Sequence, residues 1–183
     1  PDSDLMADMY EALMDWLPSY GYAQYEISNW AKKHPQIDYR CKHNLQYWLY
    51  DPWIGFGAGA YSFFNGKRYS NVRTIECYIE VVDGSFPPAY PLTALDTETE
   101  IITKREEMDE TMMMGMRLAQ EGISRKRFYD RFQIDFVDEY HDEIDKLIRM
   151  ELVEYSNPEK QNLRLTRKGR RLGNLVFAQF IRE

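Results

Sequence analysis

Leu152-Val153-Glu154-Tyr155-Ser156-Asn157-Pro158-Glu159-Lys160-Gln161-Asn162-Leu163-Arg164-Leu165-Thr166 decides how the second half of the chain reads. Residues 152–155 and 162–165 are short apolar-rich runs, and the polar stretch 157–161 lies between them, which predicts two paired strands around a turn. Thr166 then stands in front of Leu172, Leu175, Val176 and Phe180, which share one helical face, so a helix follows. Upstream, Thr103-Lys104-Arg105-Glu106 fits a capping box and predicts a helix from Lys104. Met108, Met112 and Met116 lie four apart on it, a stripe that reads as core. Ser124 predicts a second helix carrying Phe128 and Phe132. A third covers residues 136–150, with Tyr140, Ile144, Leu147 and Ile148 inward. Helix, helix, helix, strand, turn, strand, helix over residues 104–183 is a winged-helix-like order.

Residues 83–96, with Gly84, Ser85, Pro87, Pro88 and Pro91, read as a linker. Domain boundaries of 1–82, 83–96 and 97–183 follow. In the first segment, Ser3 or Asp4 is expected to cap a helix whose face holds Leu5, Met9, Leu13 and Trp16. Pro18 should end it, and Gly21 should close the turn. Residues 22–27 read as a strand, 30–39 as a loop and 54–64 as a second strand. Asn65-Gly66 is a hairpin signal, because both residues tolerate positive φ. A short helix with Ile75, Ile79 and Val82 is expected between Thr74 and Gly84, with Cys77 as a small core residue.

The 183 residues carry a net charge of −7. This balance opposes sequence-independent nucleic-acid binding, which needs a basic face. The helix before the predicted turn opposes it more directly, with Asp138, Glu139, Asp142, Glu143 and Asp145 against Lys146 and Arg149. No run reaches the ~20 apolar residues of a membrane span. Two cysteines make no disulfide framework, so a cytoplasmic setting is expected, with peripheral membrane association as a second expectation. The opening Pro1-Asp2-Ser3-Asp4 has no initiator methionine, as in a processed protein or a part of a longer one.

One segment concentrates chemistry. Arg40-Cys41-Lys42-His43-Asn44-Leu45-Gln46-Tyr47-Trp48 holds one of three histidines beside an amide and two large aromatics. On a helix His43 and Tyr47 share a face, as do Asn44 and Trp48. A neutral imidazole is an axial ligand for haem iron, and aromatic rings stack on porphyrin edges. A structural histidine among core aromatics is the other reading, and the residues alone leave both open. Cys41 and His43 have no second ligand pair nearby for zinc. Gly55-x-Gly57-x-Gly59 lacks the third glycine of a dinucleotide fingerprint, and it reads as a packed strand or as one that a ligand approaches closely. No nucleophile–base pair is legible.

Three stretches together resemble consecutive motifs of one family. They are Tyr25-Glu26-Ile27-Ser28-Asn29-Trp30-Ala31, then Cys41-Lys42-His43-Asn44-Leu45-Gln46-Tyr47-Trp48, then Gly55-Phe56-Gly57-Ala58-Gly59-Ala60-Tyr61-Ser62. The family is that of the oxygen-independent coproporphyrinogen III oxidase-like radical SAM proteins, and the His-Asn-x-x-Tyr-Trp segment resembles its haem chaperone branch, HemW. Residues 165–177 resemble the ending of its C-terminal domain. The resemblance implies an α/β fold, with residues 1–82 as the last part of an incomplete radical SAM barrel. A mainly α, winged-helix-like C-terminal domain would follow. It implies haem as the bound group, through His43 at the iron with Asn44, Tyr47 and Trp48 around it. Gly57, Gly59 and Tyr61 would run near SAM. SAM and a 4Fe–4S cluster belong to the intact protein only, because the Cys-x-x-x-Cys-x-x-Cys motif is absent and the chain alone should be inactive. The implied partners are haem or porphyrin and a haem-acceptor protein, without DNA, and a homodimer is a further expectation. The alternatives are coproporphyrinogen III oxidation in porphyrin biosynthesis and a winged-helix interaction module. Tyr61 departs from the histidine, and Ala58 from the proline, that many members carry. Pro18 also falls where the family's helix usually continues.

Overall fold

Helix α1 (Ser3–Ser19) begins at Ser3, the first of the two expected caps, so its cap lies one residue earlier. The Asp2 carboxylate accepts the N–H of Asp4 at 2.9 Å and so takes the cap position. The structure is a computed structural model that describes residues 2–84 and 96–181. Pro18 sits in the last turn of α1, and Gly21, at φ +81°, reverses the chain as expected. Strand β1 (Tyr22–Glu26) then pairs antiparallel with β2 (Asn29–Lys32), with Ala23 opposite Ala31 and Gln24 opposite Trp30. The start of the expected loop is therefore a strand. Glu26 makes the tight turn, its Oε1 accepting from Ser28 N–H at 2.9 Å and from the Asn29 amide at 2.6 Å. Spacing rules for hairpins do not include such a carboxylate.

Helix α2 (Lys42–Trp48) follows. The expected strand over residues 54–64 shrinks to β3 (Tyr61–Phe64), preceded by an isolated bridge between Trp53 and Phe63. Gly57 and Gly59 have φ of +99° and +68°, so the glycine stretch turns rather than extends. The Asn71 amide fixes it by donating to the carbonyls of Gly57 at 2.9 Å and Gly55 at 3.4 Å. The Asn65-Gly66 hairpin forms as expected, joining β3 to β4 (Lys67–Asn71) with Phe64 opposite Lys67. Helix α3 (Ile75–Asp83) starts at the Thr74 cap. Cys77, expected in the core, is exposed on it. The expected linker falls mostly on residues 85–95, outside the described residues. Strand β5 (Asp96–Ile101), with no alternating pattern to announce it, adds to the free edge of β4.

Helix α4 (Lys104–Gly115) has the predicted capping box: Thr103 N–H donates to Glu106 at 2.7 Å, and Glu106 N–H donates to the Thr103 hydroxyl at 3.2 Å. The short β6 (Ile123–Ser124) leads into α5 (Arg125–Phe132), capped by Ser124. The expected third helix is two, α6 (Phe136–Glu139) and α7 (His141–Arg149). They break at Tyr140, which is fully buried and donates its hydroxyl to Asp109. β7 (Val153–Tyr155) and β8 (Asn162–Leu165) pair as predicted, in a sheet of order β6-β8-β7. The last helix is again two pieces, α8 (Arg167–Arg171) and α9 (Gly173–Phe177). Of its expected apolar face, Val176 and Phe180 are buried, whereas the break at Leu172 leaves Leu172 and Leu175 exposed.

The chain divides into a larger unit, residues 1–50 with 108–183, and a smaller one, residues 51–107. The turn-rich segment is not where this division falls. β5 joins the β3–β4 sheet, and Glu26 of β1 bridges to Leu118 beyond α4. The larger unit's core holds Met108, Met112 and Met116 as predicted, together with Phe128, Phe136, Tyr140, Ile144 and Leu147. In the other unit Phe63 is buried against Trp53, with ring centroids 5.3 Å apart. Among the described residues no helix is long and apolar enough to cross a membrane.

Candidate functional site

Helix α2 is short and has no side-chain cap at Cys41, so its orientation comes from what its two faces touch. One face carries His43 and Tyr47, whose rings meet edge to face with centroids 4.9 Å apart, and His43 is exposed. This is the pairing the spacing predicts. Asn44 is half-buried beside them. Trp48 goes elsewhere. The Arg117 guanidinium lies 4.3 Å from its ring centroid and 5.5 Å from that of Phe177. Arg117 also lies 3.9 Å from the buried carboxylate of Glu26. The structure thus brings Tyr47 to His43 and ties Trp48 to the core through Arg117. Sequence reasoning missed Arg117, which stands in no motif and is 69 positions from Trp48 in the numbering.

The other two histidines are placed differently. His34 is exposed and accepts the N–H groups of Gln36 and Ile37 on its Nδ1, at 3.2 and 3.1 Å, so it shapes a turn. His141 faces solvent 3.4 Å from Asp145. Among the described residues no group of three or more His, Cys, Asp or Glu is placed to hold a metal ion.

Gly57, Gly59 and Tyr61 belong to the smaller unit. Gly57 N–H donates to the Tyr78 hydroxyl at 3.2 Å, and the Tyr61 carbonyl accepts from the Trp53 indole at 3.1 Å. The Tyr61 side chain is exposed. Cys41 and Cys77, also exposed, are the only cysteines in the sequence, so the chain cannot supply the three thiolates of a SAM-binding cluster.

The second face of α2, with Leu45 and Trp48, and the following Leu49 line a cavity of about 340 Å³ together with residues of α4 and α5. Three arginines, Arg40, Arg127 and Arg131, stand in its lining. Arg40 pairs with Glu121 at 2.6 Å and with Asp38 at 2.8 Å. Hydrogen bonds from the Arg40 guanidinium, and then from its backbone N–H, hold the Asp38 carboxyl down at about 2. Arg127 and Arg131 donate to the carbonyls of Leu49 at 3.2 Å and Tyr50 at 2.7 Å. The sequence spreads these arginines over 91 positions, and only the fold gathers them.

Residues 102–172 match the HemN C-terminal domain family. The chain is 33% identical over 184 residues to the haem chaperone HemW of Bacillus subtilis, a match covering 100% of this chain and 44% of that protein. It is 32% identical over 181 residues to HemW of Lactococcus lactis, covering 99% and 43%. With HemW of Escherichia coli it shares 43% identity over 77 residues, covering 40% and 19%. The chain spans less than half the length of these relatives. A solved structure of coproporphyrinogen III oxidase (HemN) from Escherichia coli, a radical SAM enzyme, matches with a TM-score of 0.65 at 14% identity, over 98% of this chain and 42% of that one. At that identity the likeness is one of fold.

Proposed function

The chain is HemW-like, with a HemN C-terminal domain at residues 102–172, and from that premise we propose that it takes part in binding haem for transfer to an acceptor protein. The observation that carries the reading is the exposed His43 imidazole, braced at its edge by Tyr47 on the solvent side of α2. An accessible neutral imidazole is what an axial iron ligand requires, and a neighbouring ring holds its orientation. The haem is cargo. His43 would hold its iron, Tyr47 would pack on its edge, and the half-buried Asn44 would orient the turn. Trp48, committed to Arg117, would support α2 from behind.

In this reading residues 1–82 are the end of an incomplete radical SAM barrel. Helices α4, α5 and α7 with the β6-β8-β7 sheet form a winged-helix-like domain that covers the barrel mouth or docks a partner. Gly57, Gly59 and Tyr61 would lie near SAM in the longer protein. The radical chemistry of that protein is outside the reach of this chain, whose two cysteines do not fit its cluster.

Titration of the chain with haem should give a Soret shift that His43→Ala removes or strongly reduces and His141→Ala leaves alone. Matching spectra for wild type and His43→Ala would overturn the iron assignment.

A further inference from the structure

The break at Leu172 between α8 and α9 borders a cleft of about 510 Å³ that also reaches the β1–β2 turn, and the haem reading does not use it. Ile27, Leu172, Leu175 and Phe177 give the cleft its apolar wall. Its charged lining residues are Arg117, Arg170 and Arg171, and no acid stands among them. Arg171 lies 3.2 Å from Glu11, a carboxylate it shares with Arg167. Arg117 lies 3.9 Å from Glu26, at the outer limit of an ion pair. Arg170 donates to neutral acceptors, the Gln24 side-chain oxygen at 3.0 Å and the Ala119 carbonyl at 2.8 Å, and among the described residues no carboxylate pairs with it. Two carboxylates therefore meet three guanidiniums, and one positive charge is left over.

Arg117 is the group with donors to spare. The rings of Trp48 and Phe177 flank its guanidinium at 4.3 and 5.5 Å, and such ring contacts hold a cation without using its N–H groups. Among the described residues none of its side-chain N–H groups donates a hydrogen bond, and its Nε is buried without a partner. Ser28 and Asn174 add to the lining a hydroxyl and an amide that are equally unengaged among the described residues. Planar guanidinium forks match the oxygens of carboxylate and phosphate alike. A surplus positive charge and this many donors favour the more highly charged group with three terminal oxygens.

We propose that this cleft binds a phosphoryl group, held by the forks of Arg117 and Arg171 in the field of Arg170, with Leu172 and Leu175 against any apolar body that the phosphate carries. The phosphoryl group comes either from inorganic phosphate or from the phosphate monoester of a small apolar alcohol.

The test titrates inorganic phosphate and phenyl phosphate into the full 183-residue chain by calorimetry, with phenol as the uncharged control. Phenyl phosphate should bind about tenfold or more tightly than phenol, the size of one charge-assisted contact. Arg171→Gln, at an exposed position, should weaken both anions about tenfold, and Arg117→Lys, which keeps the charge and loses the fork, should do the same. Phenyl phosphate binding several-fold tighter than phosphate, with the advantage lost in Leu175→Ser, selects the ester as the source. Equal affinities select the free ion. His43→Ala should change none of these values, which separates this site from the iron assignment whichever of the two fails. Binding of neither anion at millimolar concentration, or affinities that survive both Arg171→Gln and Arg117→Lys, overturns the proposal.

Discussion

In the C-terminal part of the chain the apolar stripes of the helices turn inward. Phe128, Phe136, Ile144 and Leu147 are each at most 1% exposed. In α1 a stripe of the same spacing, Leu5, Met9, Leu13 and Trp16, is 39% to 65% exposed. Helix α3 repeats the second pattern, with Ile75, Ile79 and Val82 all more than half exposed. Helical periodicity shows that a helix has an apolar face; it does not show that the same chain provides the cover. In the C-terminal region, successive helices and the β6-β8-β7 sheet cover one another. For the outer stripe of α1 the described residues offer no such cover, although its Tyr10 donates to the Ile27 carbonyl at 2.9 Å and its Met14 is buried.

The largest effect should come from the covered side. Phe136→Ala removes a fully buried ring that packs edge to face on Phe128, with centroids 5.7 Å apart. It should cost about 3–5 kcal/mol in urea unfolding. A cost below about 1 kcal/mol would mean that this core is no better closed than the face of α1, and the contrast would fail.

Next in size is the glycine turn of the smaller unit. A Cβ added at Gly57 would meet nothing within 4 Å, so space does not restrict this position. The restriction comes from its φ of +99°, which side chains disfavour. Gly57→Ala should therefore cost roughly 1–2 kcal/mol through backbone strain alone. An unchanged unfolding midpoint would show that the turn is not fixed in the way the Asn71 hydrogen bonds indicate.

This turn also marks how far the sequence can be read. The capping box at Thr103, the Asn65-Gly66 hairpin, the β7–β8 pair and the methionine core are legible because each rests on contacts a few residues apart or on one helical period. The Gly55–Gly59 stretch reads as a strand and is a turn, because the side chain that bends it, Asn71, is distant in sequence. Tyr140 breaks a helix for a similar reason, its partner Asp109 lying 31 residues away. At the candidate site the His43–Tyr47 pair follows from helical spacing. The diversion of Trp48 to Arg117, and the gathering of Arg40, Arg127 and Arg131 around one cavity, arise from tertiary packing.

A smaller effect belongs to Asp135. It caps α6 by accepting Val137 N–H at 3.0 Å, and it pairs with Arg125. Asp135→Ala should cost about 1 kcal/mol and Asp135→Asn less, since the amide keeps the cap. The hydrogen bond from Arg125 holds the carboxyl below its ordinary value of 3.8. A carboxyl depressed by folding stabilises the folded state at pH above its unfolded value, and that contribution is lost as pH falls through the lower folded value. Wild type and Asp135→Asn should therefore converge in stability in that acid range and separate above it. A constant difference down to the lowest pH would show that the Asp135 charge is not its source.

The smallest effect on folding should come from the uncovered stripe, and it bears most directly on the contrast. Trp16→Ser, or Met9→Ser with Leu13→Ser, removes apolar area that is already largely in water, so the unfolding free energy should move by no more than about 0.5 kcal/mol. Association is the property that should respond. A contiguous exposed apolar face attracts other surfaces, a second copy of the chain among them. Light scattering across a concentration series should show self-association in the wild type that falls in the serine variants. Loss of several kcal/mol on Trp16→Ser would show that α1 packs its outer face within the chain after all. A monomeric wild type at every concentration would show that the stripe, though uncovered, does not by itself drive contact between copies.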